Sequence, residues 1–134
     1  MIAVDTSVLV AAFATWHGGH EQSIRALTRG VHLVAHAALE TYSVLTRMPP
    51  PHRVRPDAAQ RFLKAASSLD WLILDQPSHV RLIESVARDA ITGGAVYDAL
   101  VGTTSAAAGA TLLTRDTRAV GTYQRLGIGY EVIE

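Results

Sequence analysis

Four acidic residues stand where an alternating strand–helix chain would bring them to one edge. Asp5 directly follows the apolar triplet Ile2-Ala3-Val4. Asp116 follows the apolar run Thr111–Leu113 after Thr114 and Arg115. Asp98 opens the apolar stretch Tyr97–Ala108, and Glu40 falls in the first turn of the helix expected after His32–Ala35. Carboxylates a few ångströms apart raise one another's pKa and resist joint ionisation. A hard divalent cation removes that penalty, and Mg²⁺ and Mn²⁺ prefer carboxylate and water ligands, often together with phosphate oxygens. The chemistry that suits such a set is phosphodiester hydrolysis, in which the cation acidifies a water and screens the phosphate. The same positions also suit helix caps, because Asp is favoured at N-caps and acids are favoured near helix N-termini. On spacing alone, both readings of these residues stand. The remaining acids (Asp57, Asp70, Asp75, Asp89, Glu21, Glu84, Glu131 and Glu134) read as caps, turns or solvated faces.

The elements that would position them follow from the apolar pattern. Strands are expected at Ile2–Val4, His32–Ala35, Trp71–Leu74, Thr111–Leu113 and Tyr130–Ile133. Helices are expected at Thr6–Ala14, Ser23–Arg29, Ala37–Arg47, Asp57–Ser67, His79–Ile91, Tyr97–Ala108 and Thr117–Leu126. In His79–Ile91, Val80, Ile83, Ala87, Ala90 and Ile91 form the predicted buried face. Tyr97–Ala108 is apolar nearly all round and is expected to be central. End-to-end alternation implies a single α/β domain over residues 1–134, with a parallel sheet between two helical layers. Ligands then bind beyond the carboxyl ends of the strands, where the four acids lie. Four of the five prolines fall in Met48–Pro56, a stiff connector rather than a domain boundary. Its arginines make a basic arm at the cleft rim the sharper alternative to a simple spacer.

Composition excludes several chemistries. The chain has no cysteine, so disulfides, thiolate metal sites and a cysteine nucleophile drop out. Twelve basic residues balance twelve acidic ones, so a nucleic acid must be held by a local patch rather than by bulk charge. Arg115 and Arg118, beside Asp116, are the candidate nucleic-acid contacts; the cluster of Arg47, Arg53 and Arg55 is a further one. The only lysine, Lys64, sits mid-helix, which argues against a receiver domain. Ser7 occupies the place where dehalogenase-type phosphatases carry a second Asp. No phosphate loop is present, and Gly127-Ile128-Gly129 is followed by no helix that could complete a dinucleotide fingerprint. The six histidines lack zinc spacing. Trp16 and Trp71 read as core or interface anchors. No apolar run spans a bilayer, and no positive charge precedes the apolar stretch Val8–Ala14, so the expected location is the cytoplasm.

At the acids the sequence becomes recognisable. Val4-Asp5-Thr6-Ser7, Ala38-Leu39-Glu40-Thr41-Tyr42, Tyr97-Asp98-Ala99-Leu100 and Leu112-Leu113-Thr114-Arg115-Asp116 occur in that order, followed by Thr122-Tyr123, Leu126-Gly127 and Tyr130-Glu131-Val132-Ile133. Together they resemble the PIN-domain ribonucleases, and within them the VapC-type toxins of bacterial VapBC toxin–antitoxin pairs. The resemblance covers the whole chain. It implies a three-layer fold with a parallel five-stranded sheet and a metal-dependent endoribonuclease held inactive by a VapB-type antitoxin. It also implies a homodimer, with an antitoxin tail laid across the cleft. Carried over residue by residue, Asp5, Glu40, Asp98 and Asp116 are the catalytic acids and the Mg²⁺ ligands, with Mn²⁺ as a substitute. Asp5 and Asp98 are the firmest of these ligands. Thr6 and Thr114 are polar neighbours that orient water or phosphate. Ser7 departs from the Asn found in many relatives, and the position of Asp116 varies across the family.

Low charge content and apolar helices point to a groove for a partner helix. By family analogy it is expected on Ser23–Arg29, Ala37–Arg47 and Asp57–Ser67. Two readings stand beside the toxin. One is a PIN nuclease without an antitoxin; the other is a non-catalytic RNA- or protein-binding module with a vestigial acidic pocket.

Overall fold

Every strand of this chain is three or four residues long and mostly apolar, a pattern that suits a parallel sheet covered on both faces. The computed structural model describes residues 1–134. Strands β1 (Ile2–Val4), β2 (Val31–Leu33), β3 (Thr111–Thr114) and β4 (Tyr130–Val132) form one sheet in the order β2-β1-β3-β4. All pairs are parallel, with Ile2 opposite both Val31 and Thr111, and Leu112 opposite Tyr130. The helices are α1 (Thr6–Phe13), α2 (His20–Thr28), α3 (Ala35–Arg47), α4 (Pro56–Ala66), α5 (Gln76–Arg88), α6 (Ala95–Ala107) and α7 (Val120–Arg125).

Alternation along the strands divides the core in two. Ala3 and Leu112 face a cluster with Val101 of α6 and Tyr123 of α7. Val4, Val31, Leu33 and Leu113 face a second cluster with Val8, Leu9, Ala26 and Leu63 of α1, α2 and α4. Three layers result, as expected. Gly109 has a φ of 74°, a left-handed turn that lets the chain leave α6 and enter β3 within a few residues.

The fifth expected strand, Trp71–Leu74, is reduced to one parallel bridge between Val34 and Leu72. Leu72 donates to Leu33 O at 2.8 Å and accepts from Ala35 N at 2.9 Å, and there the pairing stops. Ile73 is 77% exposed, and Asp75 then caps α5 by accepting from Ser78 N. Because Val34 is used in that bridge, α3 starts at Ala35, and Glu40 lies in its second turn rather than its first. Of the face expected on α5, Ile91 is buried, just beyond the helix end at Arg88, but Val80 and Ile83 are not. Leu82 and Val86 point inward with Leu74, Ile91 and Ala99, whereas Val80 and Ile83 face outward. The helix carries two apolar stripes, and the cluster beneath it takes the one formed by Leu82 and Val86. Trp16 and Trp71 are not core anchors: both are about half exposed, and Trp16 stacks on His52 of the proline connector.

Leu33 is fully buried beside β1. Leu33→Ala is expected to lower unfolding free energy by about 2–5 kcal/mol, the range for a buried leucine whose site cannot fully collapse. Urea unfolding would show this as a lower midpoint with an unchanged slope.

Candidate active site

Asp5 is the residue at which the central strand ends, and its backbone N–H still donates to Leu113 O of β3 at 3.1 Å. Its carboxylate caps α1, accepting from Ser7 N at 3.0 Å and Val8 N at 3.4 Å through Oδ1. Asp5 therefore is a helix cap, and it is more than that. The same Oδ1 takes the Ser7 hydroxyl at 2.5 Å, and Oδ2 takes the Tyr123 hydroxyl at 3.2 Å. Burial pushes this carboxyl above the ordinary carboxylate range, and hydrogen bonds from Ser7, Thr114, Val8 and Tyr123 pull it back.

Around it the fold brings all four predicted acids to one pocket. Asp5, Glu40, Asp98 and Asp116 line a cavity of about 40 Å³ together with Thr6, Ser7, Val101 and Tyr123. Glu40 comes from α3, Asp98 from the first turn of α6, and Asp116 from the loop after β3. Asp98 is not the cap of its helix, since Gly94 holds that position. Its carboxyl is pushed up to about 6, first by desolvation and then by the charges of Asp116, Asp5 and Glu40. Asp116 Oδ1 accepts from Arg118 N at 3.0 Å and from Arg118 Nε at 3.2 Å, so it carries its own counter-charge. His36 reaches Glu40 at 3.9 Å and stacks on Tyr97.

The two threonines are engaged with the protein itself. Thr6 Oγ1 donates to Ala37 O of α3 at 3.4 Å, and Thr114 Oγ1 accepts from Asp116 N at 3.0 Å. The two arginines separate. Arg118 is exposed beside the pocket, whereas Arg115 lies over Gly19 and donates to Ile133 O at 3.3 Å, tying the α1–α2 turn to the C-terminal segment. Arg115 is thus engaged with Gly19 and Ile133 and is not among the residues that line the acid pocket. Two contributors, Ser7 and Tyr123, are noted in the sequence without the roles the structure gives them. Ser7 Oγ accepts from Arg115 N at 2.8 Å while donating to Asp5, and so joins the loops of the first and fourth acids. Tyr123 looks like an ordinary buried aromatic in sequence. Apart from its place in the Thr122-Tyr123 motif, its signal is that a buried phenol needs a polar partner.

The donor set suits a hard cation. It is all oxygen, strongly anionic and partly desolvated. No three His, Asp or Glu side chains close into a ready-made metal cage. An ion at this site would be held by one or two carboxylates, with the rest of its shell left to water and phosphate.

The raised Asp98 has a consequence for the metal-free protein. A carboxyl that binds protons more tightly when folded loses stability as pH rises from its ordinary 3.8 to about 6. Solvent screening at this half-buried group reduces the effect to about 1–2 kcal/mol. In EDTA, Asp98→Asn is expected to be more stable than wild type above pH 6 by that amount and equal to it near pH 4. Urea unfolding at the two pH values checks the sign.

Comparison with known proteins agrees with this geometry. The PIN domain family model matches residues 2–124. Ribonuclease VapC40 of Mycobacterium tuberculosis is 61% identical over 133 residues, covering 99% of both chains. Ribonuclease VapC27 of the same organism is 41% identical over 128 residues, covering 95% of this chain and 93% of its own. The crystal structure of FitAcB from Neisseria gonorrhoeae shares the fold with a TM-score of 0.70 at 16% identity, covering 97% of this chain and 96% of that one. A strand-end pocket of four acids and full-length similarity to VapC ribonucleases lead to one conclusion: the chain belongs to the PIN domain family, as a VapC-type ribonuclease.

Proposed function

We propose that this VapC-type ribonuclease is an endoribonuclease toxin that hydrolyses RNA phosphodiester bonds with Mg²⁺, or Mn²⁺ in its place, and is neutralised by a VapB-type antitoxin. The observation that carries this reading is the meeting of Asp5, Glu40, Asp98 and Asp116 in one pocket, drawn from four separate parts of the chain. Asp5 and Asp98 would hold the cation, with Glu40 and Asp116 completing the anionic ring. When bound, such a cation neutralises charge on the scissile phosphate and acidifies water for in-line attack. Ser7 and Thr114 keep the ligands oriented through their bonds to Asp5 and to Asp116 N. Arg118, exposed and already paired to Asp116, is the arginine placed to reach a phosphate. RNA as substrate favours a cytoplasmic location, and no helix is long and apolar enough to cross a membrane.

The decisive comparison is cleavage of total cellular RNA by wild type and Asp98→Asn, purified in parallel, with Mn²⁺, Mg²⁺ or EDTA. Discrete fragments from wild type with metal, and none with EDTA or from the variant, are the expected result. Equal cleavage by both proteins would overturn the assignment of the site. Silence from both, with bound antitoxin excluded by mass spectrometry, would favour a non-catalytic binding module.

The antitoxin reading is supported by an apolar groove of about 590 Å³ between α3 and α4, lined by Ala38, Leu39, Tyr42, Leu63 and Trp71 among others. Its lining residues come from α3 and α4, two of the three helices named for the partner groove, and from Trp71, with none from α2. Leu39 is 69% exposed there, and its neighbour in sequence, Glu40, lines the acid pocket. A homodimer is supported by the family resemblance and by Val80 and Ile83, one turn apart on the outer face of α5. Light scattering of wild type is expected to give two chains per particle, with added mass on antitoxin binding. Leu39→Glu should remain a folded dimer, since exposed substitutions shift stability by about 0.5 kcal/mol or less, yet fail to gain that mass.

A further inference from the structure

Resting on the metal-site reading above, we infer that Tyr123 is a positioning residue of the pocket: its hydroxyl, seated by Gly102, holds the Asp5 carboxylate in the orientation that binds a divalent cation. Asp5 Oδ1 is occupied by Ser7 N, Ser7 Oγ and Val8 N. That leaves Oδ2 as the oxygen free to turn toward the pocket, and Oδ2 receives the Tyr123 hydroxyl at 3.2 Å. A carboxylate oxygen has two acceptor directions, so one donor still leaves a direction for a cation. The terminal torsion of an aspartate is broad and weakly staggered. Both oxygens turn together about the Cβ–Cγ bond, so the bond from Tyr123 on Oδ2 adds, with Thr114, to the hold that Ser7 and Val8 place on Oδ1 and sets the direction in which Oδ2 faces the pocket.

The phenol has no freedom of its own. Tyr123 is 1% exposed, and it lines the pocket together with the acids. Its ring lies against α6 at Gly102, where a Cβ would come within 3.0 Å of Tyr123 Cδ1 and 2.5 Å of Ile128 Cδ1. Glycine is a poor residue for a helix interior. Here it removes the one side-chain atom that would push the ring outward. Gly102 is also one turn beyond Asp98 on the same helix. A single close contact therefore fixes Tyr123 against the element that bears Asp98, while its hydroxyl fixes Asp5. Groups that orient metal ligands in this way change metal affinity by about 10–100-fold when removed.

The test is Mn²⁺ binding by calorimetry, without RNA, for wild type, Tyr123→Phe, Gly102→Ala and the double variant, alongside the Mn²⁺ dependence of RNA cleavage. Tyr123→Phe keeps the ring and loses only the hydroxyl. It is expected to bind Mn²⁺ at least about tenfold more weakly and to regain its cleavage rate at saturating Mn²⁺. Gly102→Ala is expected to weaken binding as well. In the double variant it should add nothing further to that loss, though it lowers the thermal midpoint in both backgrounds. Folded Tyr123→Phe with wild-type Mn²⁺ affinity would overturn the inference, as would losses that add in full across the double variant. Wild type that binds no Mn²⁺ and cleaves no RNA would overturn the metal-site reading itself, and this inference with it.

Discussion

A carboxylate taken almost out of water must be compensated from within the protein, and Asp5 is that carboxylate. Its position at the end of the central strand puts it under both helical layers at once. Each neighbouring element sends it a donor: the first turn of α1 through Ser7 and Val8, the end of β3 through Thr114, and α7 through Tyr123. Ser7 passes the connection on to Arg115 N, and Thr114 to Asp116 N. The loop carrying the fourth acid is thereby fastened to the residues that hold the first. What remains uncompensated is the charge shared among the pocket acids, visible in the upward push on Asp98. The fold confines this repulsion to one small concave site and leaves one exposed arginine to offset it.

Much of this was legible in the residues alone. Asp5, Asp98 and Asp116 each follow a strand or open a helix, so alternation by itself carries them to one edge. Glu40 joins them although its helix begins earlier than expected, because moving the start leaves the face it presents unchanged. The misreadings have local causes. Trp71–Leu74 has the composition of a strand, but a strand also needs a neighbour along its length, and only Leu72 finds one. The α5 helix offers two apolar stripes, and periodicity alone cannot say which of them meets the core. Arg115 and Arg118 look equivalent beside Asp116 in sequence; in the fold one of them fills the space left by the missing side chain of Gly19 and bonds Ile133 O. Ser7 and Tyr123 are noted in the sequence, but their roles are not legible there because those depend on what lies opposite them in the fold.

Helix α3 links the pocket to the outer surface. Glu40 enters the acid site, while Leu39, its immediate neighbour, stands in the apolar groove shared with α4. Successive helical positions differ by about 100°, so adjacent residues serve different faces. The two surfaces are therefore rigidly coupled: whatever settles in the groove is held at a fixed distance from the acids. Trp71 extends the groove from the segment that failed to become a strand. The lost pairing thus leaves a large apolar ring available at the surface.

The central strand lies at one end of the chain and its partner β3 near the other. Parallel pairing across such a separation is slow to form, since a long loop must close before any contact rewards it. Asp5 and Asp116 meet only through that pairing. A growing chain on the ribosome carries the first acid long before the last one has been made. The pocket is consequently among the final features to assemble, and a partly synthesised chain has no completed cleft to turn against the RNA that is still translating it.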